Sequence, residues 1–412
     1  GSENASFGRQ ALSGNTTGSQ NTALGRSALQ QTTTASSNTA VGYHAGYSNT
    51  TGTLNTFIGE TSGDALTVGT RNVSLGQGSL SSDTKGSRSV AVGQGALNNQ
   101  NFTSATDTYN TAVGNGAGGQ ITTGISNTLI GGLAGDALTD ADRNVAIGKT
   151  ALSADTRGSR STAVGYHALE NQNFTSATDT YNTAIGYVAG NAVTTGTQNT
   201  LIGGKAGDSI TTGNRNTILG YNSANSLADG NDNVALGNQV EVAASVANTI
   251  TLGSGISATG SADFSFGKSG NVVTNDFDAD ANWSRSSDER LKKNIVNQSL
   301  GLDFINDLRT VKYNWKASNE LDSTDAQLAH LYKEDAADNE MNTDVVMHNF
   351  IAQEVKAALD TAGVSNFAGW KEDQNGVQQV SREMFVIPLV KALQELSAKN
   401  DALEARITTL EG

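Results

Sequence analysis

Asn38-Thr39-Ala40-Val41-Gly42 is one copy of a five-residue motif, Asn-Thr/Val-x-(Val/Ile/Leu)-Gly, that recurs along most of the chain. The motif begins at Asn21, Asn38, Asn55, Asn72, Asn110, Asn127, Asn144, Asn182, Asn199, Asn216 and Asn233, with Ser89 and Ser161 standing in at two places. Successive copies are 17 residues apart, except for two steps of 21. A fixed period of this kind predicts a solenoid, in which each coil buries its apolar positions by stacking on its neighbours.

The composition of one coil indicates how it folds. Counting the Asn as position 1, position 4 is always aliphatic and position 5 is always Gly, and position 8 is Ala or Ser from Ala28 to Ser223. A 17-residue coil is too short for a helix pair, so we expect two short strands joined by tight turns, with Gly at a corner that needs positive φ. One aliphatic and a few small residues per coil bury little apolar area. We therefore expect three chains to associate, with about fifteen coils at ~4.8 Å each forming a shaft of roughly 70 Å.

A second repeat of 72 residues, or four coils, lies on top of the first. Over the four coils of one cycle, position 9 is Leu, Gly, Gly and Leu in turn. One coil in each cycle is four residues longer, with the extra residues in 99–109 and 171–181. One interpretation is a pair of protruding loops that display Phe102, Tyr109, Phe174 and Tyr181 to a receptor, a glycan above all. The other is a local bulge from tandem duplication, with the aromatic rings packed on the coils.

Composition excludes several classes of function. The chain has 412 residues, 47 Gly, no Cys and a formal net charge of −14. Thiolate zinc sites and disulfides are therefore impossible, the four scattered histidines leave little for a metal centre, and the Asp-rich turns lack a calcium-loop pattern. We expect no cofactor and no metal. The acidic balance argues against nucleic acid, and neither a signal peptide nor a membrane-spanning segment is evident.

The repeat ends near Gly253, and the rest of the chain has a different character. Residues 254–286 mix Gly and Ser with Phe264, Phe266, Phe277 and Trp283, as expected of a β-rich neck. Residues 311–315 alternate like a strand, and 349–355 lead into a helix. The last segment, 386–410, carries an apolar heptad with Asn400 at an a position, which predicts a coiled coil whose polar residue fixes register.

The hexapeptide Ser287-Asp288-Glu289-Arg290-Leu291-Lys292 carries candidate chemistry at this junction. A serine hydroxyl becomes a nucleophile when a base removes its proton, and a lysine can be that base if burial or positive neighbours lower its pKa. Arg290 and Lys293 would favour this and Asp288 and Glu289 would oppose it. His348 is a candidate assisting residue, with a structural role as the alternative. The plain alternative for Ser287 is the N-cap of a helix.

Two resemblances connect these features. The Asn-Thr-Ala-Val-Gly repeats resemble the head repeats of trimeric autotransporter adhesins, left-handed parallel β-rolls that also have counterparts in phage tail fibres, although the coils here are longer. The region 286–412 resembles the intramolecular chaperone domain of phage tail spikes and fibres, a serine/lysine self-cleaving family that follows endosialidases. The matching segments are 287–295, Tyr313-Asn314-Trp315, 350–355 and the closing helix. The resemblance implies trimerisation, templated folding and cleavage of the Ser286–Ser287 bond.

We therefore expect a mainly β protein: a trimeric parallel β-roll or solenoid shaft (1–253), a neck (254–286), a small α+β chaperone core (287–385) and a coiled coil (386–412). The expected function is that of a phage tail fibre fragment in the virion, a homotrimer that binds a host glycan. Its only enzymatic activity would be one autoproteolytic cut, with Ser287 and Lys292 as the catalytic residues, releasing the chaperone in the host cytoplasm. The alternatives are a cellular surface adhesin that retains its chaperone, and a glycan-degrading spike, which would need paired carboxylates in a groove.

Overall fold

The computed structural model describes residues 1–258, 260–276, 284–285, 287–335 and 343–411. Phe277, Trp283 and Ser286, which the neck and cleavage predictions name, lie outside the described residues. The chain divides into two compact units, Gly1–Ser286 and Ser287–Gly412. Each unit has its own architecture.

The first unit is a parallel β-solenoid, which confirms the prediction from the repeat. Residues 2 to 4 of each motif form a strand that pairs in parallel with the same residues one coil later, as Thr39-Ala40-Val41 does with Thr56-Phe57-Ile58. Ile250–Ser254 and Asp263–Lys268 continue this ladder, after which Asn271–Asp276 and Ser284–Arg285 pair antiparallel. The ladder strands are Ala5–Phe7, Thr22–Leu24, Thr39–Val41, Thr56–Ile58, Val73–Leu75, Val90–Val92, Thr111–Val113, Thr128–Ile130, Val145–Ile147, Thr162–Val164, Thr183–Ile185, Thr200–Ile202, Thr217–Leu219 and Val234–Leu236.

The expectation of two strands per coil is wrong for most of the coils described. Second strands occur only as three short parallel pairs in the described residues: Gly86–Ser87 with Thr106–Asp107, Gly158–Ser159 with Thr178–Asp179, and Glu241–Val242 with Ser257–Ala258. Elsewhere the backbone turns at left-handed residues, such as His44 and Leu54 with φ of 56° and 61°. Residues with positive φ cannot continue an extended strand.

Gly at position 5 is required for two separate reasons, its backbone conformation and the close approach of the next coil. Gly42 has φ of 137°, as expected at a corner, and a Cβ there would lie 2.5 Å from the carbonyl oxygen of Gly59 on the next coil. The equivalent glycines of successive coils are in the same situation. An L side chain would therefore meet both backbone strain and a backbone clash that no rotamer relieves.

The core is built from position 3, and not from the aliphatic position 4 as the sequence analysis assumed. Ala40 and Phe57, at position 3, are fully buried, whereas Val41 and Leu24, at position 4, are only partly covered or exposed. Successive side chains of a strand point to opposite faces, so burying position 3 turns positions 2 and 4 outward. Position 8 is buried, as predicted. The aliphatic residues of position 4 consequently form an outward strip along the ladder.

A ladder of buried asparagines holds successive coils in register. The side-chain oxygen of Asn38 accepts the backbone N–H of Asn55 at 2.9 Å, and its amide nitrogen donates to the carbonyl of Gly52 at 2.9 Å. Asn38 N–H in turn donates to the side chain of Asn21 at 3.1 Å. Each carboxamide thus satisfies buried backbone groups that would otherwise cost about 1–3 kcal/mol apiece.

The four-coil cycle is a packing alternation. In coils with Gly at position 9, a neighbouring large side chain takes the space: a Cβ on Gly118 would lie 2.7 Å from Leu129 Cδ1. In the coils that contain Leu80, Leu97, Leu152 and Leu169 at position 9, position 12 is Asp or Gln. The two residues meet between coils: Gln100 Nε2 donates to Asp83 Oδ2 at 2.6 Å. Gln100 Oε1 also accepts from Asn110 at 2.9 Å, the bond that an asparagine in place of Ser89 would have made. The two serine exceptions therefore mark where Gln100 and Gln172 complete the ladder.

The second unit is α+β around a small aromatic core. Its helices are α1 (Leu302–Asn306), α2 (Ala352–Thr361) and α3 (Val386–Glu411), and its strands pair antiparallel as Val311–Tyr313 with Met347–Asn349 and Trp370–Glu372 with Gln378–Val380. Short 3-10 turns lie at Glu289–Leu291, Ser318–Glu320, Ala329–Leu331 and Arg382–Phe385. Leu300, Phe304, Val355, Leu359 and Phe385 are buried together. The backbone N–H of Leu302 donates to Glu395 at 2.7 Å, which ties α1 to α3.

Helix α3 leaves its apolar residues uncovered. Of its residues only Pro388 and Ala392 are buried, while the heptad residues are exposed: Val386, Leu389, Leu393, Leu396, Leu403, Ile407 and Leu410. In folded proteins a helix gains most of its stability from packing its apolar face against a partner. Among the described helices none, α3 included, is long and apolar enough to cross a membrane.

Candidate functional site

The structure brings Ser287 and Lys292 together. Lys292 Nζ lies 2.7 Å from Ser287 Oγ, within hydrogen-bond reach. The intervening 3-10 turn, Glu289–Leu291, folds the chain back, and Lys292 N–H donates to the carbonyl of Glu289 at 2.9 Å. In its ammonium form Nζ donates to Oγ, and once neutral it can accept the serine proton. This is the nucleophile–base contact that a serine/lysine dyad needs.

The hydroxyl of Ser287 is not used as a helix cap. The N-cap of the turn is Asp288, whose carboxylate accepts the backbone N–H of Arg290 at 2.8 Å. Capping was the plain alternative for Ser287, and the neighbouring aspartate takes that role. Ser287 is left free to bond with Lys292.

Asp288 and Arg290 form an ion pair beside the dyad. Arg290 Nη2 lies 2.6 Å from Asp288 Oδ2, and its Nε lies 3.0 Å from Oδ1. The hydrogen bonds from Arg290 lower the pKa of Asp288, so that carboxylate stays charged at neutral pH. Because the two opposite charges are paired, they largely cancel at Lys292.

Ser287 and Lys292 are both exposed in the single chain, and so are three large apolar neighbours: Leu291, Ile295 and Val296. Exposed aliphatic side chains are common one at a time, but here three occur within the ten residues that begin with Ser287. We call Leu291, Ile295 and Val296 the apolar collar.

His348 lies elsewhere in the second unit. It is on the strand Met347–Asn349, opposite Lys312, and lines a cavity of about 430 Å³ together with Lys312, Phe350 and Arg382. Within the part of the chain that the structure describes, His348 makes no hydrogen bond to Ser287 or Lys292. The assisting role suggested for His348 therefore has no support in the geometry. Ser286, which carries the carbonyl of the predicted scissile bond, lies outside the described residues.

The four aromatic residues of the long coils divide into two pairs. Phe102 and Phe174 are buried, which agrees with the interpretation of rings packed on the coils and not with display to a receptor. Each is held by its backbone: Phe102 N–H donates to Asp83 at 3.2 Å, and its carbonyl accepts from Thr84 at 2.8 Å. Tyr109 and Tyr181 are exposed, and the guanidinium of Arg88 lies 5.6 Å from the centre of the Tyr109 ring.

Sequence reasoning missed two features of the surface. One is the apolar collar, which the sequence analysis passed over although Leu291 lies inside the quoted hexapeptide. The other is the outward strip of position 4. Its signal was present in the alternation of each motif, since only position 3 or positions 2 and 4 can face the core of a three-residue strand.

Comparison with known protein families found a match for the C-terminal part of the chain. Residues 287–364 match the family described as chaperone of endosialidase. The match begins at Ser287, includes Lys292, and extends just beyond α2. No curated protein matches the chain, and no solved structure matches it either. The similarity to this family is therefore confined to residues 287–364 of the second unit, and the description of the repeats depends on their own pattern and geometry.

Proposed function

We propose that the second unit is a self-cleaving chaperone that assembles three copies of the solenoid and is then released by a cut before Ser287. The assembled solenoid would be the host-binding shaft of a phage tail fibre. The single observation that carries the proposal is the 2.7 Å contact between Lys292 Nζ and Ser287 Oγ at the first residue of the chaperone match.

The proposed cut is an N-to-O acyl shift followed by hydrolysis. Neutral Lys292 accepts the hydroxyl proton of Ser287, and Oγ attacks the carbonyl carbon of Ser286. The C–N bond then breaks, the nitrogen of Ser287 takes a proton to become a free amine, and an ester joins the two residues. Water hydrolyses that ester, which leaves a carboxylate on Ser286 and restores the hydroxyl of Ser287. No cofactor is consumed.

The exposed heptad of α3 supports a trimer. Its apolar side chains lie on the helix with 3-4 spacing, and the chain offers them no cover among the described residues. A second and third copy of α3 would bury them in a coiled coil. Asn400 would then be a polar residue in the seam, and such residues fix register and the number of strands at a cost in stability.

The outward strip of position 4 supports association of the solenoids themselves. Leu24, Leu75, Ile130, Ile185 and Leu219 are exposed at the same place on different coils. A contiguous apolar strip of this length is unusual on the surface of a monomeric protein. Three solenoids that turned these strips toward a common axis would bury them together, which supplies the core that one coil lacks.

Assembly would also switch on the cut. A lysine serves as a base only where its charged form is disfavoured, and burial is the strongest way to achieve that. In the single chain the dyad is exposed beside the apolar collar. If a second copy packs on Leu291, Ile295 and Val296 in the trimer, the dyad loses water at the moment when the shaft has been assembled. Cleavage would then take place only after the trimer has folded.

The test is a denaturing gel of freshly purified protein. Wild type should separate into a fragment of 1–286 and one of 287–412, whereas Ser287→Ala and Lys292→Ala should stay whole. Lys293→Ala is the matched control, because it removes an adjacent positive charge, whereas the hydrogen bond to Ser287 in the described residues comes from Lys292. Light scattering of the uncut variants should still give a trimer. Cleavage in Lys292→Ala at the rate of Lys293→Ala would overturn the proposal.

A further inference from the structure

Each 21-residue coil, together with the last residue of the coil before it, carries one of two matching clusters of three solvent-accessible side chains. The first cluster is Arg88, Asp107 and Tyr109, and the second, 72 residues later, is Arg160, Asp179 and Tyr181. We call them the Tyr–Arg–Asp clusters. Neither the dyad nor the association of chains uses them.

The geometry of the two clusters is nearly identical. Arg88 Nε lies 3.0 Å from Asp107 Oδ1 and its guanidinium 5.6 Å from the centre of the Tyr109 ring. The corresponding distances from Arg160 are 2.8 Å and 5.7 Å. In the second cluster the Tyr181 hydroxyl also lies 3.4 Å from Asp179 Oδ2. Each arginine is thus fixed between a carboxylate and an aromatic ring.

Both clusters rest on a rigid base. Asp107 and Asp179 lie on the short strands that pair with Gly86–Ser87 and Gly158–Ser159. In the same two long coils, the backbone N–H groups of buried Phe102 and Phe174 donate to buried Asp83 and Asp155. Side chains held this way lose little entropy when they bind a ligand.

The chemistry of each cluster fits a neutral sugar. Tyr109 and Tyr181 are 55% and 52% exposed, so part of each ring can pack against the C–H face of a pyranose. Arg88 and Asp107 offer donors and acceptors to hydroxyl groups at the edge of the ring. Because the arginine is already paired with the aspartate, the cluster has little net charge, and it favours a neutral sugar over an acidic one.

The spacing of the clusters adds a further constraint. Both tyrosines are the last residue of a long coil, and four coils separate them, which corresponds to ~19 Å at ~4.8 Å per coil. A linear polysaccharide that lay along the coils could therefore reach both. The second contact would be intramolecular, so the two together gain roughly 10²–10⁴ in affinity without any new contact.

We propose that the two Tyr–Arg–Asp clusters form one bivalent site for a neutral linear polysaccharide. This inference rests on the proposed host-binding function and specifies its ligand. In a trimer each chain carries its own pair, and a polymer that runs along the coils uses the two clusters of one chain. Loss of either tyrosine then turns every pair into a single site.

The experiment measures calorimetric binding of two neutral probes, each as a disaccharide and as an octasaccharide: β-1,4-linked N-acetylglucosamine and α-1,4-linked glucose. The proteins are wild type, Tyr109→Ala, Tyr181→Ala, the double variant, and Tyr221→Ala as a control whose ring is 59% exposed at another position of the coil. With a bound octasaccharide, each single variant should lose about 10²-fold or more in affinity. The disaccharide should bind the single variants at half the stoichiometry and unchanged affinity, and the double variant should not bind.

Each outcome decides a separate point. If the octasaccharide binds and the single variants keep wild-type affinity, the bivalent site is wrong while host binding by another surface stands. If neither polymer binds wild type, the neutral-glycan assignment is wrong, and the cleavage and trimer proposals are untouched. Tyr109→Phe and Tyr181→Phe should retain binding, since the ring and not the hydroxyl makes the stacking contact. Equal thermal unfolding of all variants checks that folding is not the cause.

Discussion

Replacing Ile130 by Asp should disrupt association of the solenoids and lower their stability. Ile130 is at position 4, in the outward strip, and is 38% exposed. Leu133 lies three residues further along the same coil, outside the strip, and is 40% exposed. Leu133→Asp is therefore a matched control, because both changes put a carboxylate on an aliphatic position of equal exposure.

The size of the effect follows from the exposed fraction. Complete burial of such a side chain contributes about 1.5–3 kcal/mol, so covering the remaining 38% of Ile130 contributes about 0.6–1.1 kcal/mol per chain. Three chains give about 2–3 kcal/mol per trimer. An aspartate at the same place would add the cost of desolvating three carboxylates that face one another, which is several kcal/mol more.

The assay is light scattering of the released solenoid, followed by chemical denaturation. Ile130→Asp should give monomers or aggregates and a much lower unfolding midpoint, whereas Leu133→Asp should remain trimeric with a midpoint close to wild type. Two variants that behave alike would show that the strip of position 4 is not the surface on which the chains associate.

Three further predictions concern the other parts of the chain. Leu393→Asp in α3 should prevent trimerisation of the complete chain before any cut, as measured by sedimentation, while Lys399→Asp, which adds the same carboxylate outside the heptad, should not. A chain that ends at Ser286 should aggregate when expressed without the second unit, because three chains must find register before the β-structure nucleates. Removal of that unit after folding should leave the solenoid soluble. A soluble trimer from the shortened gene would contradict this prediction. Gln172→Ala removes hydrogen bonds of 2.6, 2.8 and 2.8 Å to Asp155, Ser161 and Asn182. It should lower the free energy of unfolding, measured by denaturant titration, by about 3 kcal/mol or more. The control Gln120→Ala, at an exposed position, should change it negligibly.

The sequence was sufficient for features that depend on the period and on special residues. The 17-residue spacing predicted the solenoid, and Gly at position 5 predicted a corner with positive φ, as found at Gly42. The sequence alone did not decide which face of the strand is inside, because an aliphatic residue at position 4 is as compatible with a chain–chain interface as with a core. Position 3 is Ala, Phe, Ser, Leu or Ile in different copies, and this mixture does not by itself identify it as the buried position. The packing of its large side chains against Gly at position 9 does.

The candidate site shows the same division. The five-residue spacing of Ser287 and Lys292 suggested a dyad, but only the 3-10 turn capped by Asp288 explains how the two side chains meet. The buried state of Phe102 could not be read from a polar, loop-like stretch, because it depends on a hydrogen bond to Asp83 on the preceding coil. A local turn decided the first outcome, and a hydrogen bond between neighbouring coils, 19 residues apart in sequence, decided the second.

The central claim is that Ser287 cuts the chain before itself with Lys292 as base, and the most direct test is the mass and amino-terminal sequence of the smaller fragment. Wild type should yield a fragment that begins Ser-Asp-Glu-Arg-Leu-Lys and ends at Gly412, formed more slowly as the pH falls, because protonated Lys292 cannot accept the serine proton. Ser287→Ala and Lys292→Ala should yield none. A fragment that begins at any other residue, or the same fragment from Lys292→Ala, would contradict the account.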